Sequence, residues 1–132
     1  MSLRNPRPGD EPSTARPARP NHTYHGDLAS QTRDKWGDYH ALWKVRLRRV
    51  TQVSVRWSQR AGGRIQLNVL PNVTDRSWPN EEPLLSSNTG RHLHASFVFI
   101  AAISGWYYLD FWSERPGRYT FSLGRVTPAH LG

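Results

Sequence analysis

The sequence predicts an all-β fold built from antiparallel sheets, and three observations carry that prediction. Apolar and polar residues alternate along residues 42–59 and 65–69, the period of a half-buried strand. Residues 92–123 are dense in Phe, Val, Ile, Tyr and Trp, which favour a pleated surface. Turn signals at Ala61-Gly62-Gly63, Ser104-Gly105 and Pro116-Gly117 cut the apolar runs into pieces too short for helices.

The totals bound the answer. A chain of 132 residues makes one domain with a tail and can bury a real core. It contains no cysteine, which excludes disulfides and Cys-based zinc sites, so packing alone must stabilise it. The net charge is +8, and Lys35 and Lys44 are the only lysines beside sixteen arginines. Guanidinium groups pair with carboxylate and phosphate and stack on aromatics, so an Arg-rich surface suits acidic partners, nucleic acid or a large assembly.

Residues 1–20 hold five of the ten prolines, mixed charge and few apolar groups, and read as a disordered Pro/Arg-rich arm. The arm lacks the apolar segment of a secretory signal, so an intracellular or organellar location is favoured by the sequence as written. No run of about 20 apolar residues marks a membrane span. The expected β domain covers residues 21–126, and residues 127–132 are a C-terminal tail.

Residues 21–40 are polar, with Tyr24, Leu28, Trp36 and Tyr39 as single apolar anchors, and read as a short edge strand and a loop. Asp27, Asp34 and Asp38 lie near His22, His25 and His40, which raises a metal hypothesis with calcium as the candidate ion. The spacing matches neither an EF-hand loop nor a zinc helix, so solvated turn carboxylates are the stronger reading and no cofactor is expected.

Trp43, Val45 and Leu47 share one face of the next strand, with Lys44, Arg46 and Arg48 on the other. A tight turn near Arg48-Arg49 leads to a second strand with Val53, Val55 and Trp57 inward and Gln52, Ser54 and Arg56 outward. Ile65, Leu67 and Val69 give another. Residues 71–91 form a long polar loop containing a short strand at Leu84-Leu85, and loops of that length often bind partners.

Three strands follow, near residues 93–100, 106–112 and 118–123. In the middle one Tyr107, Leu109 and Phe111 point one way, and Trp106, Tyr108, Asp110 and Trp112 the other. Aspartate is almost never buried without a partner, so the second set is expected to face outward and to present three aromatics together. His92 and His94 would share one strand face, but a third metal ligand is missing.

No nucleophile elbow, Walker loop, His-Glu-x-x-His or dinucleotide fingerprint occurs, so no enzyme is expected. Basic residues recur between aromatics, yet no known nucleic-acid-binding motif accompanies them.

The order of strands, with Gly105 before Tyr107-Tyr108-Leu109 and then Gly117-Arg118-Tyr119-Thr120-Phe121-Ser122-Leu123, resembles the bacterial pre-peptidase C-terminal domain over residues 24–123. That resemblance implies a β-sandwich, assisted by calcium in the family. Trp36-Gly37-Asp38-Tyr39 and the strand Val53-Ser54-Val55-Arg56-Trp57-Ser58-Gln59 are similar, more weakly, to the third domain of calpains. Both likenesses imply an antiparallel eight-stranded β-sandwich or jelly roll that is not catalytic in its own right.

The expected function is therefore a noncatalytic β-sandwich interaction module that recognises a protein or polysaccharide. Trp106, Tyr108 and Trp112 would form the contact surface, and Arg46, Arg48 and Arg56 would supply charge. The alternatives are a structural accessory subunit of a large ribonucleoprotein or respiratory-type assembly, or a nucleic-acid-binding domain.

Overall fold

The computed structural model describes residues 5–61, 63–78 and 82–129. In chain order the first strands are β1 (Arg16–Pro17), β2 (His22–Asp27), β3 (Tyr39–Leu47), β4 (Thr51–Gln59) and β5 (Gln66–Leu70). They are followed by β6 (Leu85–Ser87), β7 (His94–Ala101), β8 (Gly105–Ser113), β9 (Arg118–Leu123) and β10 (Thr127–Pro128). The helical segments among the described residues are short 3-10 turns, and none is long and apolar enough to cross a membrane.

One sheet runs β1-β3-β8-β5-β6, and the other runs β2-β9-β4-β7, with β10 continuing the β9 edge of β4. All pairings are antiparallel except the two-residue contact of β1 with β3. The β3–β8 ladder is in register from Tyr39↔Ser113 to Leu47↔Gly105, so each inward residue of β3 meets one of β8.

The alternation read from sequence sets the core. Trp43, Val45 and Leu47 from β3, Val53, Val55 and Trp57 from β4, and Tyr107, Leu109 and Phe111 from β8 are all buried between the sheets. Phe111 lies at the centre: its ring stacks on Tyr119 at 4.3 Å and meets the edge of Trp57 at 5.7 Å. Each such side chain contributes roughly 1.5–3 kcal/mol by leaving water. Two tryptophans tie the layers together: Trp57 Nε1 donates to Ser87 Oγ at 3.0 Å, and Trp43 Nε1 donates to Tyr119 Oη at 2.8 Å. Burial pushes the Tyr119 phenol up to about 12, so it stays neutral and able to accept that bond. Gly26 in β2 lies over the Tyr119 ring, where any Cβ would overlap it.

The expected disordered arm is corrected from Asn5 onward. Ala15 and Ala18 are buried, Gly9 O accepts from Leu42 N at 2.7 Å, and Ala18 N donates to Lys44 O at 2.8 Å. The Asp10 carboxylate is also buried, accepting from Arg7 N at 2.7 Å, Gln31 Nε2 at 2.5 Å and Thr32 N at 3.0 Å. Prolines that cannot continue a sheet still suit an extended segment laid along a sheet edge. Composition argued for disorder because it counts apolar residues, whereas this segment adds hydrogen bonds to β3, Gln31 and Thr32 to the burial of its few apolar side chains.

The expected tail is corrected in the same way, since Thr127 and Pro128 pair with Gln52 and Thr51. Residues 1–4 and 130–132, part of the Ala61-Gly62-Gly63 turn and residues 79–81 of the expected loop lie outside the described residues. Eight of the ten strands have three residues or more, which agrees with the eight-stranded sandwich expected.

Candidate functional site

The two sheets turn very different outer faces away from the core. On the first sheet, β3 and β8 send His40, Leu42 and Lys44 outward beside Trp112, Asp110 and Tyr108, which face them in the ladder. This face is covered. Leu42, Leu70, Val73, Trp78 and Tyr108 form a second apolar cluster with Ala15, and Trp106 is packed against it. The cover comes from the N-terminal segment and from residues 71–78, which are tied to each other where Ser13 N donates to Asp75 Oδ1 at 2.8 Å.

Under that cover lies a buried charge cluster. Asp110 is 2% exposed, with both carboxylate oxygens 3.0 Å from His40 Nδ1 and Oδ2 also accepting from Trp78 Nε1 at 3.2 Å. His40 Nε2 lies 3.1 Å from Asp34 Oδ2. Both ring nitrogens thus face carboxylates, an arrangement satisfied by imidazolium. Burial alone would lower the His40 pKa, but the charges and hydrogen bonds of Asp110 and then Asp34 outweigh it and raise the value above 6.5. Trp78 crosses the imidazole edge-on at 4.8 Å, and Trp112 stacks at 6.2 Å.

The structure therefore corrects the expectation that Asp110 and its neighbours face solvent. The rule that aspartate is not buried unpaired holds, but here a partner is present. Tyr108 is buried, and Trp106 and Trp112 are half-buried at opposite ends of β8, so no three-ring surface is presented. The Trp112 Nε1 group is enclosed with no hydrogen-bond partner. Trp106 is flanked by Lys44 and Arg46, whose charged ends lie 4.7 and 5.9 Å from its ring centre. Arg46 and Arg48 are exposed at the same end of the first sheet, whereas Arg56 belongs to the second.

Of the three metal candidates, Asp34 and Asp38 come together and Asp27 does not. Asp27 Oδ1 accepts from Ala29 N at 2.9 Å, and Oδ2 lies 3.6 Å from Arg118 Nε. Asp34, Asp38 and His40 place three possible ligand atoms within 4.8 Å of one another. Calcium takes about six to eight oxygen ligands. Here one of the three donors is an imidazole nitrogen already committed to Asp34, and Asp34 Oδ1 accepts from Trp36 N and Asp38 N at 2.9 Å each. The set does not fit calcium, and the His40 imidazolium supplies the positive charge between these carboxylates. Burial, followed by repulsion from Asp34, raises the Asp38 pKa.

The second sheet is open. Its outer face carries Thr23 and His25 from β2, Thr120 and Ser122 from β9, Ser54, Arg56 and Ser58 from β4, and His94 and Ser96 from β7. The register places Ser58 between Thr120 and His94, and Arg56 between Ser122 and Ser96. His25 Nδ1 bonds Thr120 Oγ1 at 3.0 Å. Farther along β7 the face turns apolar, with Val98 and Ile100 exposed. His94 therefore belongs to this face, while His92 lies in the turn Gly90–His92, so the two do not share a strand.

Two concavities mark this face. One, of about 640 Å³, is lined by Arg16, Asp27, Arg60 and Arg118, and the other, of about 470 Å³, by Arg56, His94 and Ser96. They share Ser58 and Thr120 and so lie side by side, a two-part groove across β2, β9, β4 and β7. Sequence reasoning found Arg56, but not the other arginines of the groove. Their common signal was placement on outward positions or strand ends next to Ser and Thr.

This architecture is a pre-peptidase C-terminal-like β-sandwich. A solved structure similar to the chain is the pre-peptidase C-terminal domain of collagenase from Bacillus anthracis, at 14% sequence identity and a TM-score of 0.57. The match covers 83% of this chain and 93% of that one. The likeness is one of fold. No protein-family model matches the chain, and a search of curated proteins returns no match.

Proposed function

We propose that the chain is a noncatalytic β-sandwich module that docks a protein or polysaccharide partner on the outer face of β2, β9, β4 and β7, with Arg56 near its centre. The observation that carries this reading is the contrast between the faces. One sheet is roofed by the N-terminal segment and residues 71–78, and the other leaves a groove open across four strands. Arginine supplies directed contacts and is among the residues that dominate interface energetics.

The buried cluster supports the noncatalytic reading. A general base needs a free nitrogen within reach of a substrate proton. Both nitrogens of His40 are held by carboxylates beneath Trp78.

The test is co-purification of a tagged chain from native extract, comparing wild type with Arg56→Glu and Arg46→Glu. A partner lost on Arg56→Glu and retained on Arg46→Glu supports docking at the open face. The reverse pattern would move the site to the exposed end of the first sheet, where Arg46 stands beside Trp106.

A further inference from the structure

We propose that the groove across β2, β9, β4 and β7 binds an extended polysaccharide bearing carboxylate or sulfate groups. This rests on the docking reading above and specifies its ligand. Charge comes first. Arg16, Arg56, Arg60 and Arg118 line the two joined concavities, and the acidic residue among their linings, Asp27, is already next to Arg118 at 3.6 Å. Guanidinium forks bind carboxylate and sulfate-like oxyanions through paired N–H groups, and a concave site of one sign concentrates ions of the other.

Spacing comes second. Gln59 pairs with Tyr119, so Arg60 and Arg118 follow on neighbouring strands, roughly 5 Å apart at their backbones. Arg56 lies four residues back along β4, about 13 Å away at the rise of a strand. Cations separated in this way match a chain with anionic groups at intervals better than one compact anion. Between them the groove presents Ser58, Thr120, Ser122 and Ser96, whose hydroxyls can donate to and accept from sugar hydroxyls.

The third observation separates a glycan from a single-stranded nucleic acid. Proteins that bind such strands stack bases on accessible aromatic rings. The indole, phenol and phenyl rings lining this groove, Trp57, Tyr119 and Phe121, are 2%, 2% and 1% exposed and point into the core, which leaves the small imidazoles of His25 and His94 as its exposed rings. Among the described residues the groove therefore exposes no large aromatic platform, while its guanidinium groups and hydroxyls outnumber its two imidazoles.

The experiment titrates the full chain with heparin, polygalacturonate, neutral dextran, poly-U RNA and polyglutamate. Wild type is expected to bind the two charged polysaccharides and not dextran. The triple variant Arg56→Gln/Arg60→Gln/Arg118→Gln should weaken that binding by roughly tenfold or more, the sum of three exposed ionic contacts. A control with the same net charge, Arg49→Gln/Arg76→Gln/Arg91→Gln, should change it less than about threefold. Thermal melts of both variants check that each is folded, and Arg56→Gln alone serves as the groove variant if the triple is not.

Equal losses in groove and control variants would overturn the proposal by reducing the effect to overall charge. Tighter binding of RNA or polyglutamate, or no binding of either charged polysaccharide, would also overturn it. If that happens while Arg56→Glu still strips a co-purifying partner, the docking reading stands and the ligand class falls. If neither is seen, both fall.

Discussion

The outer faces of the two sheets carry polar residues on the same alternation, yet one has become an interior and the other has stayed a surface. On the first, Asp110 and His40 are roofed by Trp78, and their charges are satisfied by each other and by Asp34. On the second, Arg56, Ser58 and Thr120 meet solvent across an uncovered groove. A charge beneath a cover must have a partner inside the molecule, whereas a charge on an open face is available to one outside it. Substitutions should therefore affect folding on one side and binding on the other.

The largest expected effect is at Asp110. Asp110→Ala removes the acceptor for His40 Nδ1 and for Trp78 Nε1 and leaves a buried cation without its main counter-charge. Breaking a buried pair from one side costs about 3–5 kcal/mol, a large part of the roughly 5–15 kcal/mol that stabilises a domain. Chemical denaturation measures it, and a loss below about 1 kcal/mol would place His40 and Asp110 at a wet surface instead.

Asp10 ranks second. Asp10→Ala strips one buried acceptor from Gln31 Nε2, Thr32 N and Arg7 N, at an expected cost of about 1–3 kcal/mol. It should also make the N-terminal segment more susceptible to proteolysis. An unchanged denaturation midpoint together with unchanged cleavage would show that this segment is not part of the cover.

The third effect is a pH slope. The folded pKa of His40 lies above its unfolded value of 6.5, so its contribution is fully present below pH 6.5 and is lost as pH rises through the folded value. Asp38, whose pKa is raised above 3.8, acts in the same direction at lower pH. The melting temperature should therefore fall as pH rises from 6.5, and His40→Gln should flatten that slope. A slope of opposite sign would mean that the ring is buried neutral.

Much of this was legible in the sequence, and the misses share a cause. Alternation located the strands and put Val53, Val55 and Trp57, and also Tyr107, Leu109 and Phe111, in the core. It put Asp110 and Tyr108 on the face opposite Leu109, and that holds. Whether that face was wet depended on residues 71–78 and on the N-terminal segment, which approach from distant positions in the chain. Alternation has a period of two residues and contains nothing about them. His40 lies on the outward alternation of β3, and with β3 beside β8 it becomes the natural partner of Asp110. That pairing between distant strands was the missing step. For Arg56 no such step was needed, because no described residue covers it.

The smallest stability effect, and the sharpest separation of the two faces, is therefore expected at Arg56. The side chain is exposed on the outer face of β4 between Ser122 and Ser96 and makes no ion pair among the described residues. Surface substitutions of this kind usually alter stability by no more than about 0.5 kcal/mol. Arg56→Gln should thus leave the denaturation midpoint nearly unchanged while weakening capture of an anionic ligand. Asp110→Asn should reverse the pattern, loosening the fold while leaving the affinity of the remaining folded protein for that ligand unchanged. If Arg56→Gln destabilises the chain by more than about 1 kcal/mol, the open face carries structural load, and the division between a folding face and a binding face fails.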